Sequence, residues 1–198
     1  RERVLDAMGD PGAWVHIAAH GTADPRRIGY AGFWLDPPSA GGDPVFISWL
    51  DVLGRGAKAG LVVLDACQLG KGGSGPDGSF GFASAVSEAG ANQVVASLWA
   101  VSDAASTAWT RAFYSSLAAS PDRDSVEALR VAQQELRRSR MFRHPFYWAG
   151  WRSFSRIAIS NPMRALASGD EARATATPQR SPGPARVKRV LSPAPTPP

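Results

Sequence analysis

The sequence predicts an α/β layered fold. Three short apolar runs, rich in β-branched and aromatic residues and bounded by Gly or polar residues, have the make-up of buried strands in a parallel sheet. The segments around them repeat their apolar residues at helical spacing. Strands alternating with helices in this order imply a layered α/β domain with right-handed crossovers.

In chain order, a short helix is expected over residues 1–8. The first strand is Ala13–Ala19 (AWVHIAA), which runs into His20-Gly21. Turn-rich sequence fills 21–60, around Phe33-Trp34-Leu35 and Val45–Trp49. The second strand, Leu61–Leu64, ends at Asp65-Ala66-Cys67. Phe80, Ala83, Val86 and Ala89 recur every three residues, and Gly90 stands where a helix would stop. Val94–Trp99 is the third strand. Ala105, Ala108, Trp109, Ala112, Phe113 and Leu117 form one helical stripe, with Ser102 or Asp103 as its N-cap. Val126, Leu129, Gln133 and Leu136 mark a further helix, which Asp124 and Glu127 open in the manner of a capping box. No internal repeat is visible.

Composition bounds the rest. A chain of 198 residues that is 44% hydrophobic can bury a sizeable core, which excludes wholesale disorder. No apolar run is long enough for a membrane-spanning helix, and the N-terminus does not read as a secretory signal. It begins Arg1-Glu2-Arg3, an unusual opening for a gene product, and the expectation is a fragment of a longer chain. The single cysteine, Cys67, fits a reducing, cytoplasmic compartment and directs attention to the thiol itself. The net charge of +5 is unevenly spread. Residues 161–198 hold six Lys/Arg against two acids, and the first 160 residues hold 16 against 15. The same stretch holds eight of the sixteen prolines and few large apolar residues. Such a segment buries too little to offset its chain entropy. The expected organisation is therefore a domain over 1–160 and a disordered tail over 161–198.

The chemistry gathers at two strand ends. Open parallel sheets hold their ligands at the carboxyl ends of the strands. His20 follows the first strand and Cys67 the second, so both fall on one edge of the sheet. A Cys beside a His is the minimal nucleophile and base of a thiol hydrolase. Glycines accompany both: Gly21 after the His, and Gly70, Gly72, Gly73, Gly75 and Gly78 after the Cys. They would let backbone N–H groups approach a substrate carbonyl as an oxyanion hole. A lone cysteine is, in the other reading, a small buried hydrophobe.

Four ordered motifs carry a family resemblance: Val15-His16-Ile17-Ala18-Ala19-His20-Gly21, Leu64-Asp65-Ala66-Cys67-Gln68-Leu69-Gly70, Ser97-Leu98-Trp99-Ala100-Val101-Ser102-Asp103, and His144-Pro145-Phe146-Tyr147-Trp148-Ala149-Gly150. Over roughly residues 1–155 the chain resembles CHAT domains, caspase-like cysteine peptidases related to separases, metacaspases and clostripain-type proteases. The resemblance implies a caspase-like three-layer sandwich, with a mostly parallel sheet and helices on both faces. It implies catalysis by His20 and Cys67, and an oxyanion hole from the backbone of Gly21 and Cys67. Typical members have one more strand before the first helix and often follow helical repeats. Both lie outside this sequence, which agrees with the fragment reading and leaves a regulatory repeat or sensor domain upstream as an expected partner.

Specificity is read from two acids. Asp65 stands two residues before Cys67, where metacaspases and clostripain-type proteases carry an Asp that faces the pocket for the residue before the scissile bond. Period-two alternation turns 65 and 67 to one face. Asp103 resembles the second pocket carboxylate of metacaspases. The pair would favour cleavage after Arg or Lys. Alternatively, Asp103 caps the following helix and Asp65 accepts backbone hydrogen bonds.

The remaining features read as structural. His16, four residues before His20, has metal-binding spacing only on a helix, and this stretch is a strand. No metal or other cofactor is expected. His144 precedes a proline in a loop. Phe142, Phe146, Tyr147, Trp148 and Trp151 serve core packing rather than base stacking. The expected function is an intracellular cysteine endopeptidase acting on proteins or peptides. The alternatives are a catalytically silent interaction module and a nucleic-acid role for the basic tail. The body has no basic stripe, so neither nucleic acid nor a membrane is an expected partner.

Overall fold

In the computed structural model, the described residues are 1–23, 31–37, 41–67, 69–70, 81–120, 122, 124–155 and the backbone of 186–191. Seven strands form one mixed sheet: β1 (Ala13–Ala23), β2 (Ala31–Leu35), β3 (Val45–Ser48), β4 (Leu61–Ala66), β5 (Val94–Ser97), β6 (Trp151–Phe154) and β7 (Arg186–Leu191). The strand order is β3-β2-β1-β4-β5-β6, with β7 also pairing with β1. The centre, β1-β4-β5, is parallel; β2, β3 and β6 are antiparallel to their neighbours. The antiparallel margin β2-β3 arises from the turn-rich stretch, where Phe33 and Ile47 form a register pair and both are fully buried.

Six helices lie among the described residues: α1 (Glu2–Gly9), α2 (Trp49–Arg55), α3 (Phe82–Glu88), α4 (Asp103–Ala119), α5 (Ser125–Arg138) and the single turn α6 (Pro145–Trp148). Strand alternation sorts them into two layers. Ala13, Val15 and Ile17 of β1, Val62, Leu64 and Ala66 of β4, and Val94 and Ala96 of β5 share a core with α1, α2 and α3. Their alternates Trp14, Leu61, Val63 and Val95 share the opposite core with α4 and α5. That second core is aromatic. The Trp109 ring lies 3.8 Å from the Trp151 ring at 5°, and 4.7 Å from Phe113 at 14°. No helix among the described residues is long and apolar enough to cross a membrane.

The helix starts follow local chemistry. Ser102 caps α4 by accepting from the Ala105 N–H, and Asp103 falls in the first turn instead of at the cap. Asp124 caps α5 through the Val126 and Glu127 N–H groups. The expected capping box is only half formed, because the Glu127 carboxylate pairs with Arg130. A complete box occurs at α2, where Ser48 accepts from Asp51 N–H and Asp51 accepts in return from the Ser48 N–H. His144 caps α6 by accepting from the Phe146 N–H at 3.2 Å.

Within the stretch 161–198, expected from composition to be a disordered tail, Arg186–Leu191 forms β7, parallel to β1 with Ala13 opposite Arg186 and Ala18 opposite Leu191. Proline and charge content describe what a segment can bury alone. They do not register a strand edge with unmet N–H and C=O groups, which another strand can satisfy. The rest of 161–198 lies outside the described residues.

Candidate active site

The site grows from the carboxyl ends of β1 and β4. Their parallel register pairs Ala18 with Asp65 and Ala19 with Ala66. The next residue along each chain is His20 or Cys67. Alternation turns His16, Ala18 and His20 of β1 to the α4 side, together with Asp65 and Cys67. The apolar strand interiors therefore hand over to reactive groups on one face only.

Gly21 explains why the two ends can approach. A Cβ at this position would lie 2.6 Å from the Cys67 carbonyl oxygen and 3.2 Å from the Ala66 carbonyl carbon. No side chain fits there, so the glycine is required by backbone crowding against the Cys67 peptide. Gly70 is held as closely at the β5 end: its N–H donates to Ser97 O at 2.8 Å, and a Cβ would lie 2.8 Å from the same oxygen. That N–H is thereby committed to the fold and unavailable to a substrate. Gly72, Gly73, Gly75 and Gly78 lie outside the described residues. The Ser97 hydroxyl donates to Ala66 O at 2.9 Å, which ties β5 to β4 just before Cys67.

An open cleft of about 280 Å³ is lined by His20, Cys67, Asp65, Asp103, Ser97, Ser106 and Thr107, with Ala18, Ala19 and Val101. All four side chains expected to act thus face one cavity. His20 is exposed, and Cys67 is part-buried with a free thiol. Burial pushes the Cys67 thiol above its ordinary pKa, and the negative charges of Asp65 and Asp103 push it further. Both effects favour the protonated thiol.

Asp65 is firmly held. Ser106 of α4 donates its hydroxyl to Asp65 Oδ2, and His16 Nε2 lies 3.8 Å from the same oxygen. On its other side His16 Nδ1 is 2.9 Å from the Tyr114 hydroxyl of α4. These contacts answer the question about the two acids in part. Asp65 takes a side-chain hydroxyl, not a backbone N–H, and Asp103 leaves the capping to Ser102.

His16, Ser106 and Tyr114 were not legible as parts of a site. The spacing of His16 from His20 points only to a metal ligand, and only on a helix. Period two along β1 was the available signal, since it sets 16 and 20 on one face. Ser106 and Tyr114 flank the apolar stripe of α4, and no local pattern marks them.

The last two motifs prove to be one structural unit. Leu98 N–H donates to Gly150 O at 2.7 Å, and Trp99 Nε1 donates to Phe146 O at 2.9 Å. A Cβ at Gly150 would lie 2.9 Å from the Trp99 ring. Trp99 therefore seats on the α6–β6 turn, and this fixes the β5–α4 connection that carries Val101 and Asp103 into the cleft.

Comparison with known proteins agrees with this architecture. No curated protein matches the chain. The model of the CHAT domain family matches residues 1–156, which span every described element except β7. A family related to caspase-like proteases thus accounts for most of the sequence, the paired His20 and Cys67 ends included. The chain belongs to the CHAT domain family.

Proposed function

We propose that the protein is a caspase-like cysteine endopeptidase that uses His20 and Cys67 to hydrolyse peptide bonds after a basic residue. One observation carries the reading: His20 and Cys67 directly follow Ala19 and Ala66, the last parallel register pair of β1 and β4, and line one cleft with two carboxylates, Asp65 and Asp103. The three-layer arrangement around a sheet with a parallel centre supports the caspase-like assignment.

The raised thiol pKa shapes the mechanism. A preformed thiolate–imidazolium pair is disfavoured at rest, so His20 acts as a general base during attack. Cys67 Sγ bonds to the scissile carbonyl carbon as its proton passes to the imidazole. The carbonyl oxygen takes the negative charge, facing the backbone N–H groups of Gly21 and Cys67. On collapse the C–N bond breaks, and His20 returns the proton to the leaving amine. Water, deprotonated by the same imidazole, then cleaves the thioester and regenerates the thiol.

Asp65 and Asp103 supply specificity. Two carboxylates around one cleft repel each other, and a guanidinium or ammonium between them removes that repulsion. The same cation offsets the negative field at Cys67, so a correctly bound substrate eases ionisation of its own nucleophile. The substrate is a protein or peptide, and the expected setting is cytoplasmic, under control of a repeat or sensor domain upstream.

Fluorogenic peptides varied only at the residue before the scissile bond test this reading. Arg and Lys peptides should be cleaved, and Asp65→Asn should lower kcat/KM for them selectively, by about 2–5 kcal/mol. Preference for Asp or for large apolar residues would refute the specificity. Absence of any cleavage by folded protein, together with no labelling of Cys67 by peptide electrophiles, would favour a silent interaction module.

A further inference from the structure

We propose that His16 is a positioning residue, and that with Tyr114 and Ser106 it fixes the Asp65 carboxylate in the cleft wall for recognition of a substrate cation. The inference rests on the reading of Asp65 as a specificity carboxylate. It assigns the buried polar network behind that residue.

The position of His16 is costly without such a role. The residue is 7% exposed and lies on the face that carries Trp14, Leu61 and Val63. An apolar residue would satisfy that core, whereas a buried imidazole costs free energy unless its nitrogens are partnered. Nδ1 has a hydrogen-bonding partner distant in sequence, and Nε2 faces a carboxylate beyond direct hydrogen-bond distance. Nδ1 is 2.9 Å from the Tyr114 hydroxyl, and Nε2 is 3.8 Å from Asp65 Oδ2. Nε2 is thus the edge of the ring that faces Asp65. Ser106 donates to the same Oδ2 from the opposite element.

The geometry divides the carboxylate. The Ser106 hydrogen bond and the approach of His16 both fall on Oδ2, and no hydrogen bond or ion pair to Oδ1 is found among the described residues. The network joins β1, β4 and two points on α4. It sets the rotation of a carboxylate that lines the cleft. His16 does not reach the reacting atoms, because Asp65 stands between it and the cavity. Its effect falls on ligand binding, not on the chemical step.

The test uses the 198-residue chain and agmatine, a guanidinium ligand without a scissile bond. Calorimetry should show agmatine binding to the wild type and weakening by about tenfold in His16→Phe, as expected for losing one partner of a charged group. Tyr114→Phe, which removes a single hydroxyl, should weaken binding in the same sense but less. His16→Gln, which can place an N–H near Nε2, should recover part of the loss. In an Asp65→Asn background, His16→Phe should add nothing further. On Arg peptides, Tyr114→Phe should raise KM and leave kcat within about twofold. Equal weakening by His16→Phe with and without the Asp65 carboxylate would overturn the proposal, as would a fall in kcat at unchanged KM. Failure of the wild type to bind agmatine would overturn it too. Continued cleavage of other peptides in that case would leave the peptidase reading standing.

Discussion

The two faces of the sheet are built from the same strands and end differently. The face under α1, α2 and α3 is apolar throughout: Ala13, Val15 and Ile17 on β1, and Val62, Leu64 and Ala66 on β4. The face under α4 and α5 begins apolar, with Trp14, Leu61 and Val63, and turns polar toward the carboxyl ends, with His16, His20, Asp65 and Cys67. Adjacent residues such as Leu64 and Asp65 therefore belong to different tasks. One face supplies stability and the other carries a site, and alternation along a strand keeps them apart.

The sharpest way to test this division is at the end of the polar face. Cys67→Ala should abolish peptide turnover while the unfolding free energy stays within about 1 kcal/mol of wild type, since a part-buried thiol is replaced by a slightly smaller group. His20→Ala should lower the rate on the order of 10²–10⁴-fold with a similarly small effect on folding. Turnover surviving in Cys67→Ala would remove the thiol from the mechanism.

The converse substitution lies one residue from the site. Leu64 is fully buried on the aliphatic face. Leu64→Ala should destabilise by about 2–5 kcal/mol, through lost transfer energy and a residual cavity. Activity per folded molecule should hold. Denaturant titration beside active-site titration separates the two quantities, and a large loss of specific activity would show that the faces are coupled.

The smallest effect is expected at the helix caps of the aliphatic side. Ser48→Ala breaks the box that opens α2, at a cost of about 1 kcal/mol. The Asp51 carboxyl is held below its ordinary pKa there. Burial opposes this, but hydrogen bonds from the Ser48 backbone and side chain and the nearby Arg1 outweigh it. Peptide cleavage by Ser48→Ala should match wild type, and any change in KM would argue against separate faces.

How much of this could be read in the sequence depends on the range of the interaction. The central strands were legible because burial on both faces leaves continuous apolar runs such as Leu61–Leu64. Helix α4 was legible from its stripe, and Asp124 from its position before α5. The His20/Cys67 ends followed from strand polarity. Short antiparallel strands such as Val45–Ser48 were blurred by the turns that join them. β7 was hidden because its pairing depends on the β1 edge and not on its own composition. The His16 network was hidden for the same physical reason: its partner Tyr114 is 98 residues away, and neither residue type announces the other.

The two carboxylates beside Cys67 also bear on the protein's chemical durability. Peroxide oxidises thiolates far faster than thiols, so a sulfur kept protonated by burial and by Asp65 and Asp103 is shielded from sulfenic acid formation. Because the thiol pKa is raised, its susceptibility should climb only at pH values above those at which an ordinary cysteine ionises. Replacing either acid by Asn should shift that rise to lower pH. Inactivation by hydrogen peroxide, followed across pH in wild type and Asp103→Asn, would measure it, and coincident profiles would contradict it. On the proposed reading, the acids that would select the substrate would also protect the Cys67 thiol from oxidation.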